Sequence, residues 1–274
     1  MKNFKKLLAV LLAGLMLLSL VACGGKDDNV EKRGVLHSEN STRFSSSAHN
    51  EHKEKNNESL KQETNSYDNL SSALLDLENE KIDSLFVDEY SAAYIVARND
   101  KLTVVNQDRT EHYAMMTMDS NQEVYDILNN AIKDMKADGT LDSLIANELK
   151  AYIESDPVAK DLPHFDGAKT IKIGVTGDLP PMDFVAANGQ AAGFNIALLT
   201  EIANRAKVNF ELVQIETGAR AMALSTDKVD AVFWSKSLTC NECEKTRTEM
   251  PEGTIITEVY FSDATAEIKL KSDK

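Results

Sequence analysis

The feature that most restricts this chain is a strand and helix alternation that begins at Ile171. "IKIGV" is followed by the helical "FNIALLTEIANRA", the strand "NFELVQI", a short helical stretch from Ala219 to Leu224 and the strand "VDAVFW". Short apolar strands separated by amphipathic helices pack as a mainly parallel sheet covered on both faces. Ligands of such sheets lie beyond the carboxyl ends of the strands, which directs attention to the loops beginning at Thr176, Ser235 and Asp88. The turn after "IKIGV" carries Gly177, Pro180 and Pro181, the residues of tight turns.

A similar alternation precedes it. "KRGVL" predicts a short strand, Leu70, Ala73, Leu74 and Leu77 recur at helical spacing, and "KIDSLFVD" reads as the next strand. Between them, Ser38 to Asn65 is rich in Ser, Asn, Glu and Lys and taken alone has the composition of a linker. A second short strand is expected around Leu102 to Val105, with "YAMMTM" extended after it. Val124, Ile127, Leu128, Ala131, Ile132 and Met135 then mark one face of a long helix that Gly139 stops, and Leu141, Leu144, Ile145 and Leu149 mark another. "ESDPVAKDLPHFDGAK" lacks any apolar period and contains Pro157, Pro163 and Gly167, so it separates two α/β segments.

The amino terminus addresses compartment. Lys2, Lys5 and Lys6 precede an apolar run from Leu7 to Leu20, too short to span a bilayer and ordered like a secretory leader over residues 1–22. Removing those three lysines shifts the formal net charge from −14 to −17. A body this acidic repels phosphate backbones and anionic lipid surfaces, so nucleic acid and peripheral membrane binding are excluded as expectations. The hydrophobic content of 42% in 274 residues is that of a folded protein with one large or two modest cores.

Taken together, "IKIGVTGDLPPMDFVAANGQAAGFNIALLTEIANRA", "ALSTDKVDAVFWSKSLT" and "VYFSD" resemble the first half of a bacterial extracellular solute-binding protein of the amino-acid-binding type, family 3. "KRGVL", "SYDNLSSALLDLENEKIDSLFVDEYSAAYIV" and "NNAIKDMKADGTLDSLIA" resemble its second half. The halves stand in reversed order, which implies a circular permutation; a remnant of two tandem domains is the competing account. The resemblance implies an α/β fold of the type II periplasmic-binding-protein kind, a two-lobe clamshell. One lobe spans 31–112. The other is assembled from helices in 113–153 and the segment 169–263, with 154–168 joining the former termini and 264–274 crossing between lobes. "LVACGG" resembles a lipoprotein cleavage site, which makes Cys23 the lipid-bearing residue, 23–30 a tether, and the protein an exported one held at the outer face of the cell membrane.

What the resemblance implies for the site falls on named residues. Asp88 in "LFVDEY" matches the aspartate that accepts the ligand's ammonium group through charge-assisted hydrogen bonds. Ser235, Ser237 and Thr239 in "SKSLT" match hydroxyls that contact a ligand carboxylate; as residues of ordinary turns they would instead cap a helix. The arginine that clamps that carboxylate in the family is replaced here by Glu242, leaving Lys236, Arg220 or Arg43 as substitutes. Thr176 and Leu179 stand where many relatives carry an acid and a stacking aromatic, with Asp178 and Trp234 as compensating candidates. The implied ligand is a small polar, amine-bearing solute, an amino acid or a related compound, handed to an ABC transporter permease, with no cofactor.

Cys240 and Cys243, in "CNEC", are read as a local disulfide in an exported protein; zinc is the weaker alternative because no further ligands lie near in sequence. Three classes of function stay open: a transport-associated binding protein, a sensory or regulatory binding module (or a degenerate binder), and, least favoured, a dehydratase-type enzyme using Asp88, Glu242 or His37 as acid or base.

Overall fold

The computed structural model describes residues 30–36, 61–153, 155, 158–186, 188–237 and 251–272. In chain order the elements are β1 (Val30–Leu36), β2 (Lys61–Tyr67), α1 (Leu70–Glu78), β3 (Ser84–Asp88), α2 (Glu89–Arg98), β4 (Leu102–Met118), α3 (Gln122–Asp138), α4 (Thr140–Glu148), β5 (Thr170–Val175), β6 (Asp178–Leu179), β7 (Asp183–Val185), β8 (Ala191–Ala192), α5 (Phe194–Ala206), β9 (Asn209–Gln214), α6 (Arg220–Ser225), β10 (Ala231–Ser237), β11 (Thr254–Ile256) and β12 (Phe261–Leu270). Single turns of 3-10 helix follow α4 and precede α6.

A nine-stranded sheet orders them β2-β1-β3-β12-β4-β10-β5-β9, with β11 added on β4, and β6, β7 and β8 form a small sheet of their own. Pairing is parallel at both ends of the large sheet, between β1 and its neighbours β2 and β3 and between β5 and its neighbours β9 and β10. Its middle is antiparallel and rests on two strands. The 17-residue β4 pairs through its first half with Ala266–Leu270 of β12 and through its second half with Phe261–Ala264 of β12 and with β10. β12 also pairs with β3 through Thr265–Ile268.

Three clusters of buried side chains result. At one end of the sheet, Leu70, Ala73 and Leu77 of α1 and Ala92 and Ile95 of α2 pack on Leu85, Val87, Leu102, Ala266 and Ile268. At the other end, α3, α4 and α5 cover one face, where Leu128, Ile132, Met135, Leu198 and Ile202 meet Ile171, Ile173, Phe233 and Phe261. The opposite face of that end holds Met116, Ile215, Leu224, Val232 and Trp234 beneath α6. Phe233 facing one cluster while Val232 and Trp234 face the other is the period-two alternation of a strand buried on both sides.

Residues 158–169 contain no helix or strand, yet they are fixed in place. Phe165 donates its N–H to Asn209 Oδ1 at 2.8 Å, Asn209 Nδ2 returns a bond to the Phe165 carbonyl at 3.0 Å, and the Lys207 ammonium lies 4.9 Å from the Phe165 ring. Arg98 of α2 donates to the carbonyls of Tyr152, Ile153 and Ser155, tying the start of this connector to the first cluster's helix.

Three local expectations are corrected. The end of the polar stretch, linker-like in composition alone, is a strand, because Lys61–Tyr67 pairs with β1 over seven residues. Leu102–Val105 and "YAMMTM" are one strand, since β12 supplies partners on both sides of the polar residues between them. Ser235 does not begin a loop: β10 continues to Ser237 because β4 remains opposite it, pairing Ser235 with Tyr113 and Ser237 with Glu111.

Candidate functional site

β5 ends at Val175, and the next residue, Thr176, is turned inward. Its N–H and hydroxyl both donate to Asp183 Oδ1, at 3.0 and 2.7 Å, joined by the Gly177 N–H at 2.7 Å, while Asn195 Nδ2 donates to Oδ2 at 3.0 Å. Asp183 is 2% exposed, and four donors meet the requirement of a buried carboxylate. It fixes the loop between β5 and α5. No local spacing marks Asp183 in the sequence; the only hint is its place between "LPPM" and a helix start.

With that loop fixed, Gly177 takes a positive φ of 76° and sends Asp178 toward α1. Asp178 Oδ2 accepts the N–H of Leu70, the first residue of α1, at 3.0 Å. This bond joins a loop of the larger cluster to a helix of the smaller one. Burial pushes the Asp178 carboxyl up from its ordinary range, with the Leu70 N–H working against it and the nearby Asp183 charge adding to it.

Beside this contact lies an open cavity of about 510 Å³ lined by Asp68, Asn69, Ser71, Thr176, Asp178, Gln214, Ile215 and Glu216. Three of the eight are carboxylates, and none is lysine or arginine. A concavity with this lining attracts a cation and repels a free anion.

A second group of charges lies within electrostatic reach of Asp178 through Arg220. Asp88, at the carboxyl end of β3, accepts a hydrogen bond from the Tyr113 hydroxyl of β4. Burial holds the Asp88 carboxyl above its usual range, opposed by that bond and by the Arg220 charge. Arg220, the first residue of α6, is within electrostatic reach of Asp183, Tyr260, Asp88 and Tyr113, and also of Asp178. Asp88, Asp178 and Asp183 therefore share Arg220 as the cation within their electrostatic reach.

Other candidates are placed elsewhere. Leu179 packs at the edge of the larger cluster. Trp234 is 4% exposed among Met116, Ile215 and Leu224, on the α6 side of the sheet, and its indole N–H has no partner among the described residues. Ser235 and Ser237 are backbone members of β10. Cys23, His37, Arg43, Thr239, Cys240, Glu242 and Cys243 lie outside the described residues. Among the described residues, no group of three His, Cys, Asp or Glu side chains is disposed to hold a metal ion, and no helix is long and apolar enough to cross a membrane.

Asp263 carries no signal in the sequence. It is 5% exposed, accepts the N–H groups of Tyr90 at 3.0 Å and Ala264 at 2.9 Å, and is pushed up to about 7 chiefly by burial, with Asp88 and Glu89 adding repulsion. A carboxyl that takes a proton more readily folded than unfolded contributes stability that is full below the ordinary value near 3.8 and is lost as pH rises to about 7. The melting temperature is accordingly expected to fall between pH 4 and 7, and Asp263→Asn to flatten that slope. An unchanged slope in the variant would show that another group governs it.

Residues 171–261 match the sequence profile of bacterial extracellular solute-binding proteins, family 3. The chain is 31% identical over 78 residues to the L-arginine-binding protein of Pseudomonas aeruginosa, a match covering 28% of this chain and 30% of that protein. Among solved structures, the ligand-binding component of an ABC-type import system from Staphylococcus aureus with zinc bound gives a TM-score of 0.47 at 11% identity, over 88% of this chain and 66% of that one. The GluR0 ligand-binding core complexed with L-glutamate gives 0.43 at 10% identity, over 89% and 86%. The segment 171–261, which builds much of the larger core and carries Thr176, Asp178 and Arg220, is the part of the chain that is similar to the bacterial extracellular solute-binding proteins of family 3.

Proposed function

We propose that this protein is an exported solute-binding protein that captures a small polar, amine-bearing solute at the junction of the two ends of its sheet and delivers it to the permease of an ABC transporter. The observation that carries the reading is the cavity walled by Asp68, Asp178 and Glu216 without a lysine or arginine. A cationic group is what three carboxylates bind in a partly closed space. Asp88, at the carboxyl end of β3, serves as acceptor for an ammonium group. The relative that binds L-arginine agrees with a basic solute. In this reading the two ends of the sheet are the two lobes, β4 and β12 cross between them, and residues 158–169 join termini that the family keeps separate. Cys23 carries the lipid that holds the protein at the outer face of the membrane.

The test is a thermal-shift screen of the purified protein against amino acids, amines, polyamines and short peptides. A ligand at one hundred times its Kd adds about 2.7 kcal/mol to the folded state, enough for a clear rise in Tm. Basic amino acids or amines are expected to raise the Tm and acidic amino acids to leave it unchanged. No shift with any cationic compound would overturn the reading.

A further inference from the structure

Asp88 occupies the N-cap position of α2 with extended dihedrals, φ −65° and ψ 149°. An aspartate there ordinarily turns its carboxylate onto the first N–H groups of the helix, and few residues cap better. Asp88 does not. Its side chain makes no cap bond, and its carboxylate accepts the Tyr113 hydroxyl of β4 instead.

The cap comes from another strand. Asp263 Oδ2, in β12, accepts the N–H of Tyr90, the second residue of α2, at 3.0 Å, while Oδ1 holds the Ala264 N–H at 2.9 Å. Strand register explains the reach. β12 runs antiparallel to β3 with Thr265 opposite Asp88, and the same count carried past the end of β3 sets Asp263 opposite Tyr90. The Tyr90 ring lies 5.6 Å from that of Phe261, in the same strand, which holds the start of α2 against the carboxylate. Two carboxylates thus stand at one helix start, and the one distant in sequence does the capping. A helix N-terminus attracts a carboxylate within reach, so without Asp263 the Tyr90 N–H would lose its partner and Asp88, already at the N-cap, would be drawn onto it.

We propose that Asp263 is a positioning residue: by capping α2 from β12 it keeps the Asp88 carboxylate off the helix and on Tyr113, the orientation in which Asp88 receives a cationic group. This rests on the solute-binding reading and adds to it the residue that sets its aspartate. Asp263 acts through Asp88 and not on the solute.

The test joins calorimetric titration with L-arginine to amide hydrogen exchange at Tyr90, an N–H that no bond within the helix protects. Asp263→Ala is expected to weaken L-arginine binding about 10-fold, the worth of one cap bond drawing Asp88 away. In the same variant the Tyr90 amide is expected to stay protected, because Asp88 takes it over, and to lose protection when Asp88→Ala is added. Asp263→Asn keeps an acceptor oxygen and is expected to bind within about threefold of the wild type. In an Asp88→Asn background, Asp263→Ala is expected to cost no further affinity, a coupling that a residue merely holding the fold together would not show. Undiminished affinity in Asp263→Ala, or a Tyr90 amide that exchanges freely in it, overturns the positioning role and leaves the solute-binding reading standing. Failure of the wild type to bind L-arginine overturns the solute-binding reading, and this role with it. Should Asp263→Ala not fold, Asp263→Asn decides: a loss of about 10-fold there, with the acceptor kept, counts against the role, and kept affinity with a protected Tyr90 supports it.

Discussion

Gly193→Ala is expected to destabilise the fold by about 3 kcal/mol or more, a large effect for the addition of a single methyl group. Gly193 takes a φ of 111° at the start of α5, where a side chain is strained whatever the space. There is also no space. A Cβ would lie 2.4 Å from the Met182 carbonyl oxygen and 2.8 Å from that of Pro181, both backbone atoms that cannot swing aside. Those carbonyls accept the N–H groups of Asn195 and Phe194, at 2.9 and 3.0 Å, so the glycine closes the helix start onto the loop that carries Asp178 and Asp183. Urea denaturation measures the loss. Gly189→Ala is the control, since its φ of 82° carries the same backbone penalty but nothing lies within 4 Å, and it is expected to cost about 1 kcal/mol. Equal losses in the two variants would show that the close approach at Gly193 contributes nothing.

Asp88→Asn is expected to weaken binding of a basic solute about 100-fold while leaving the unliganded protein as stable as before, or more so. The two halves of this prediction have one cause. Burial already disfavours the Asp88 charge in the folded protein, so neutralising it removes a penalty, and the Tyr113 hydroxyl still finds an oxygen to donate to. The same charge is the partner a solute ammonium needs, and a charge-assisted bond in a desolvated place is worth about 3 kcal/mol at its upper end. Thermal melting of the free variant, set beside its calorimetric affinity for L-arginine, checks both. A variant that melts lower and binds as well as the wild type would assign Asp88 to structure alone.

Much of the fold is legible in the sequence where burial follows a local period. Val124, Leu128, Ile132 and Met135 do line the inner face of α3, and the strands at 171, 209 and 231 stand where apolar runs place them. What escapes a sequence reading is decided by distant partners. β2 is a polar edge strand whose "KQETNSY" has no buried face to announce it, and it exists because β1 offers it a full parallel register. β4 keeps its course through "NQDRTEH" because β12, far later in the chain, lies alongside.

The site divides in the same way. Asp88, Thr176 and Asp178 are named from strand-end position and from the family resemblance, and Arg220 as one of three substitute cations; Asp88 and Asp178 lie within electrostatic reach of Arg220. Asp183, Asp263 and Tyr260 are not, because an acid or a phenol becomes informative only once its burial and its donors are known. Trp234 has the chemistry to meet a cation and instead fills the space under α6, the ordinary fate of a large ring on an inward-facing strand position.

That an acidic junction between the two ends of the sheet receives a basic solute is tested most directly by isothermal titration. The purified protein, shown to be monomeric by light scattering, is titrated with L-arginine and in parallel with L-glutamate. Saturable heat is expected with about one L-arginine per chain, weakening with added salt, and no heat with L-glutamate. Binding of L-glutamate in preference to L-arginine, or silence from both, would contradict a cation-selective junction.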